Sequence, residues 1–205
     1  GTHRNARSTR GSGMFGREAL KRYPGAPVED EGRLNNFTIR QHFLTRIFIL
    51  ADFRKVKASQ SIREFTDFQA RNKYLLMAYN QAKLREMGRL AASAGNSPFT
   101  EVAEEYESLL KTALSKPPTE KAMINVLQHM LGGFKDKLNP EEKRFFLNSL
   151  EEYRDERIPL SVPIYMLRSW AVRFGAKYLL EQTVLQPFPL ELVEVTDSGK
   201  GRDLK

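Results

Sequence analysis

Lysine and arginine are the residue types through which this chain could act on a partner. Residues 35–93 hold eleven of them against four Asp and Glu. Arg46, Arg54 and Lys55 fall in one helical span and its exit, Arg71 and Lys73 in the next, and Lys83, Arg85 and Arg89 in a third. A phosphate backbone is gripped by several such cations on one surface. No strict spacing is needed, because the attraction is Coulombic and is driven by released counterions. Phe53, Tyr74 and Tyr79 interleave with them. These rings offer stacking faces to exposed bases where they point outward, and core packing where they do not. Without a partner, the same cations are a solubilising surface.

A second polar group is Asn125, Gln128 and His129, at i, i+3 and i+4 of one helix, with His42 on an earlier helix. A trio of this kind can line a cleft and read a base edge, or close an interhelical hydrogen-bond network. The third histidine, His3, lies in a polar lead-in. No HExxH pair, GxSxG turn or glycine-rich phosphate loop occurs, so no catalytic or metal-binding residue is assigned. The chain has no cysteine, which excludes disulfides, thiolate metal sites and cysteine nucleophiles within it. The acidic runs at 101–107 and 151–156 read as solvated helix faces. An enzyme built on His42 or His129 lacks a nucleophile–base pattern.

The elements that must position these groups are helices. Apolar residues from Phe37 to Ala51 recur at helical spacing, predicting a helix over about 35–57 with Phe37, Phe43, Leu44, Ile47, Phe48, Leu50 and Ala51 as its apolar points. Ser61 and Glu64 make a capping box for a helix running to about Tyr79, with Ile62, Phe65, Phe68, Leu75 and Leu76 inward. Another helix spans about 83–93. Ser97, Thr119, Asn139 and Ser161 are predicted N-caps of the next four. Gly132 and Gly133 predict a bend or the close approach of a neighbour within the helix over 120–138. Met14–Tyr23 predicts a short helix, and residues 24–32 an extended linker. Only 184–195 looks β-like, and Pro187 and Pro189 spoil it. The expected fold is all-α: a single bundle of about six to eight helices with an irregular N-terminal extension and a disordered C-terminal tail.

Net charge is +8 over 205 residues. It is segregated, since residues 94–160 carry nine Lys and Arg against twelve Asp and Glu. A basic half beside an acidic middle suggests an anionic partner, nucleic acid first. No apolar run approaches the roughly 18–20 residues of a membrane span. The N-terminus has no apolar core of a secretory signal, so the expected location is cytoplasmic.

Six segments in order carry a family resemblance: HFLTRIFIL (42–50), FTDFQARNKYLLMAYN (65–80), LREMGRLAA (84–92), NVLQHMLGGFKDKL (125–138), RIPLSVPIYMLRSWAVRF (157–174) and YLLEQTVLQPFPLELVEV (178–195). Together they resemble the YbgA-like family, a bacterial helical domain of unknown function, with small departures at Gly133 and Leu190. RGSGMFGREALKRYPGAPVEDEGRL (10–34) is similar to the C-terminal end of thiouracil desulfidase-type domains, which often precede YbgA-like domains. The resemblance implies three parts: a desulfidase-type remnant and linker over 1–34, the YbgA-like domain over 35–196, and a tail over 197–205. It also implies a 4Fe-4S cluster held only by cysteines upstream of residue 1, with no cofactor in this chain. The two-domain proteins resemble transfer-RNA 4-thiouridine desulfidases. Two expectations follow. The domain is either an accessory module that holds tRNA or another RNA and is not catalytic by itself, or a structural partner that covers the desulfidase-type domain without touching RNA.

Overall fold

A computed structural model describes residues 14–23 and 25–193, the side chains of Met14 and Phe15 excepted. The lead-in over 1–13, Pro24 and the tail over 197–205, expected from sequence to be irregular, lie outside the described residues. The remainder forms two units that divide between Phe43 and Leu44.

The first unit holds α1 (Met14–Arg22), α2 (Glu31–Leu34) and the first residues of α3 (Phe37–Ser59). Residues 26–30 have no regular structure, but the linker ends sooner than expected. Asp30 caps α2, its carboxylate accepting from the Gly32 amide at 2.9 Å, and Arg33 pairs with Glu29 at 2.9 Å.

The second unit contains the rest of α3, then α4 (Ile62–Arg71), α5 (Lys73–Tyr79), α6 (Gln81–Ala92), α7 (Phe99–Ala113), α8 (Glu120–Leu131), α9 (Pro140–Arg154), α10 (Ser161–Arg173) and the single turn α11 (Lys177–Leu180). Tight 3-10 turns cover Ala94–Asn96, Gly132–Phe134, Thr183–Leu185 and Leu190–Leu192. No strand occurs among the described residues. The fold is all-α, and within the described part of the β-like stretch, 184–193, the regular structure is the two last of these turns.

Two aromatic centres form the core. Phe53 of α3 stacks on Tyr106 of α7 with centroids 5.0 Å apart, and Phe65 and Phe68 of α4 close around them. All four side chains are buried. The Tyr106 hydroxyl keeps a partner by donating to Gln69. At the other end, Trp170 of α10 meets Phe146 of α9 at 5.5 Å and Phe134 at 6.0 Å. Helix α5 packs on both α6 and α8. Burial of such rings is the main favourable term, and tilted or edge contacts add to it.

Several sequence expectations are corrected. On α3 the buried residues are Thr45, Ile49, Leu50, Phe53 and Val56, whereas Phe37 is exposed. Apolar and polar residues are spread round all sides of this helix, so periodicity does not single out its inward face. Ile62 is exposed, not inward. The long helix to Tyr79 is broken at Asn72, whose buried side-chain amide donates to the Phe68 carbonyl at 2.9 Å and competes with the helical ladder. Ser61 caps α4 through the Glu64 amide at 3.3 Å, without the reciprocal half of the box. Asn139 and Glu142 form a complete box on α9. Ser97 and Ser161 are not caps, because Pro98 and Leu160 hold those positions. The helix after Thr119 stops at Leu131 and tightens into a 3-10 turn at the glycine pair. A Cβ on Gly133 would lie 2.9 Å from Leu179 Cδ1, so close approach is the reason for that glycine.

Candidate nucleic-acid interface

The predicted cations separate into two groups. Arg71 is committed to the fold. Its guanidinium bonds Asp52 of α3 at 2.7 Å and covers the Phe68 ring at 5.1 Å, tying α4 to α3. Lys83 pairs with Glu86 one turn on, at 2.7 Å. Lys57, at the end of α3, is held by Glu107 of α7 at 3.0 Å. Arg46 is half-buried beside Tyr79. Arg54 and Lys55 on α3, Lys73 at the start of α5, and Arg85 and Arg89 on α6 are exposed and make no ion pair with the described residues. Lys73 lies over the Tyr74 ring at 5.7 Å. Arg85 and Arg89 share one face of α6 a turn apart. Arg89 also borders a shallow hollow of about 300 Å³ with Glu86 and Glu105, so acids interrupt the basic surface at that edge.

The interleaved rings are mostly core. Phe53 is fully buried. Tyr79 is largely enclosed, and burial pushes its phenol above the ordinary tyrosine range, despite opposing effects from Thr45 and Arg46. Tyr74 is half-exposed, 6.4 Å from the ring of Tyr178, and partial burial followed by that neighbour raises its pKa too.

Asn125, Gln128 and His129 do share a face of α8, but it is the outer one. All three are exposed, opposite Met123, Val126, Leu127 and Met130, and they border neither hollow described here. His42 belongs to the first unit and is half-buried on α3. Among the described residues no group of three or more His, Asp or Glu side chains is placed to hold a metal ion. No helix among them is long and apolar enough to cross a membrane.

Two features escaped sequence reasoning. One is a buried polar join. Gln182, 2 % exposed, donates from Nε2 to the Ala70 carbonyl at 3.0 Å and accepts from the Tyr74 amide at 3.4 Å. The adjacent Thr183 hydroxyl donates to the Arg71 carbonyl at 3.1 Å. The helix break at Asn72 is thereby served by residues 112 positions away. The break leaves α5 without a side-chain cap, and Gln182 supplies the partner. Unusually polar residues in an apolar segment, LLEQTVL, were the only available signal. The other is an open cleft of about 1090 Å³ between α9 and α10, bordered by Arg144, Phe145, Asn148, Tyr165, Ser169 and Trp170 among others. Tyr165, on the α10 side of this cleft, is 55 % exposed.

Residues 73–189 match the family model described as a protein of unknown function (DUF1722). The uncharacterized protein YbgA of Escherichia coli (strain K12) is 23% identical over 158 residues, covering 76% of this chain and 93% of that protein. No solved structure matches the chain. The family match spans more than half of the sequence and runs from α5 to the turn after α11, so this chain belongs to the DUF1722 family, to which its YbgA-like segments had pointed.

Proposed function

We propose that this domain is an accessory RNA-binding module, not catalytic by itself, that holds transfer RNA or a similar RNA by its phosphates. The observation that carries the reading is the set Arg54, Lys55, Lys73, Arg85 and Arg89, exposed on α3, α5 and α6 without acidic partners among the described residues. Ion pairing within the fold would neutralise such cations, and these are left available to an anion. Arg71 and Lys83 are dropped from the grip because each already has a carboxylate. In this reading the protein works in the cytoplasm beside a desulfidase-type domain, whose 4-thiouridine substrate would be presented by the bound tRNA. The test is a mobility shift with bulk bacterial tRNA. The double variant Arg85→Glu/Arg89→Glu is expected to weaken binding at least tenfold, with the helical circular-dichroism signal unchanged. Equal affinity for the two proteins would remove α6 from the interface.

A second reading has its own observation. Leu20, Tyr23, Val28 and Phe37 of the first unit are all exposed. Large apolar side chains left in water suit a docking surface, here for the desulfidase-type domain. Failure of the chain to bind tRNA at low salt, together with association with an added desulfidase-type domain that is lost in Leu20→Asp/Tyr23→Asp, would favour this structural role.

A further inference from the structure

The cleft between α9 and α10 has a composition that neither phosphate binding nor core packing explains. Phe145 and Tyr165 stand on its two walls, 68 % and 55 % exposed. Trp170 also borders it. It is itself nearly buried and fixed against Phe146 and Phe134, so that part of the cleft is rigid. Arg168 lies over the Tyr165 ring at 5.3 Å and donates to Gln186 at 3.2 Å, which limits the ring's freedom. The side chains of Asn148 and Ser169 border the same space and make no hydrogen bond to any described residue.

Charge narrows the ligand. Glu142 is already committed, accepting from Arg173 at 3.2 Å and from the Asn139 amide at 2.9 Å. That leaves Glu141 and Arg144, one of each sign, so the cleft does not favour a phosphate. A flat, uncharged group with polar edges fits two rings, an amide and a hydroxyl. The volume, about 1090 Å³, lies just above the usual range for small-ligand sites, roughly 300–1,000 Å³, as suits an open cleft that takes a base still attached to its strand. We propose that this cleft receives an unstacked nucleobase, with Phe145 and Tyr165 as stacking surfaces and Asn148 as the group that meets the base edge. The inference rests on the RNA reading for the source of the base, and supplies the base contact that a phosphate grip lacks.

Trp170 is the only tryptophan in the chain, so its emission reports on this cleft. The full chain and the variants Phe145→Ala and Tyr165→Ala are titrated with single-stranded oligouridylate and oligoadenylate, with free uridine and adenosine, and with inorganic phosphate. Both replaced rings are exposed, so the variants are expected to keep the fold. The proposal expects oligonucleotides and nucleosides, but not phosphate, to change Trp170 emission, with affinity about tenfold weaker in each variant. If RNA binds but Trp170 does not respond and the variants bind like the parent, the cleft assignment is wrong and the phosphate grip stands. If RNA does not bind while nucleosides change Trp170 emission only when both rings are present, the cleft stands and the RNA reading fails. Silence of Trp170 toward every base-containing probe overturns the cleft, and assigns the exposed rings to a protein partner.

Discussion

Replacing Gln182 with leucine tests whether the join between the α4–α5 break and the chain after α11 holds the fold. Leucine nearly conserves volume, so the cost is polar. The variant loses the donations to the Ala70 and Tyr178 carbonyls at 3.0 and 3.3 Å. It also strips the Tyr74 amide of its acceptor at 3.4 Å. A net hydrogen bond contributes about 1 kcal/mol, and an orphaned, part-buried donor costs about 1 kcal/mol or more. The longest of these contacts is weak, and leucine gains from burial at a site only 2 % exposed. The expected loss is therefore about 2–3 kcal/mol. For a domain of this size that lowers Tm by roughly 4–12 °C. Urea unfolding followed by circular dichroism gives the free energy, provided the slope with denaturant is unchanged. Gln186→Leu is the control, since Gln186 is exposed and its bond to Arg168 is a surface contact. A Gln182→Leu protein as stable as the control would refute the claim that this join fastens the two segments.

Two further outcomes follow from the geometry. Gly132 has a helical φ of −55° and open space where a Cβ would stand, so Gly132→Ala is expected to stabilise by about 0.5–1 kcal/mol. Gly133→Ala must displace Leu179, a buried neighbour at 2.9 Å, and is expected to destabilise; the two urea midpoints should move in opposite directions. Burial raises the phenol of Tyr106 well above the ordinary tyrosine range, with nearby Arg71 opposing it weakly, and raises Tyr79 likewise. The unfolded chain then loses these protons first, so stability is fully present below about pH 10 and falls as pH rises beyond it. Absorbance at 295 nm should show two phenols ionising only as the helical signal is lost, and their early titration in folded protein would contradict the burial.

The sequence was most legible where local chemistry decides. Thr119 and Asn139 cap helices where their types and positions say they should, because a cap needs only its own first turn. Phe65 and Phe68 are buried as periodicity predicts, on a helix with one apolar face. Legibility failed where a distant partner decides. Asn72 breaks a helix that propensity alone would continue, and the group that accepts the orphaned amide lies more than a hundred residues on. Arg71 and Arg85 look alike in sequence, yet Asp52 consumes one and nothing described pairs with the other. The exposure of Tyr165 and Phe145 depends on how α9 and α10 part, which spacing along one helix does not encode.

The central claim is a grip on phosphates by Arg54, Lys55, Lys73, Arg85 and Arg89, and the most direct test is affinity for tRNA across a salt series. Each phosphate neutralised adds about −0.7 to −0.9 to the slope of log affinity against log salt. If all five cations engage, the slope reaches about −3.5 to −4.5, and affinity falls roughly 100- to 500-fold between 50 and 200 mM salt. Arg85→Glu/Arg89→Glu should make that slope shallower by about 1.5. A slope near zero, or one unchanged in the double variant, would contradict the account.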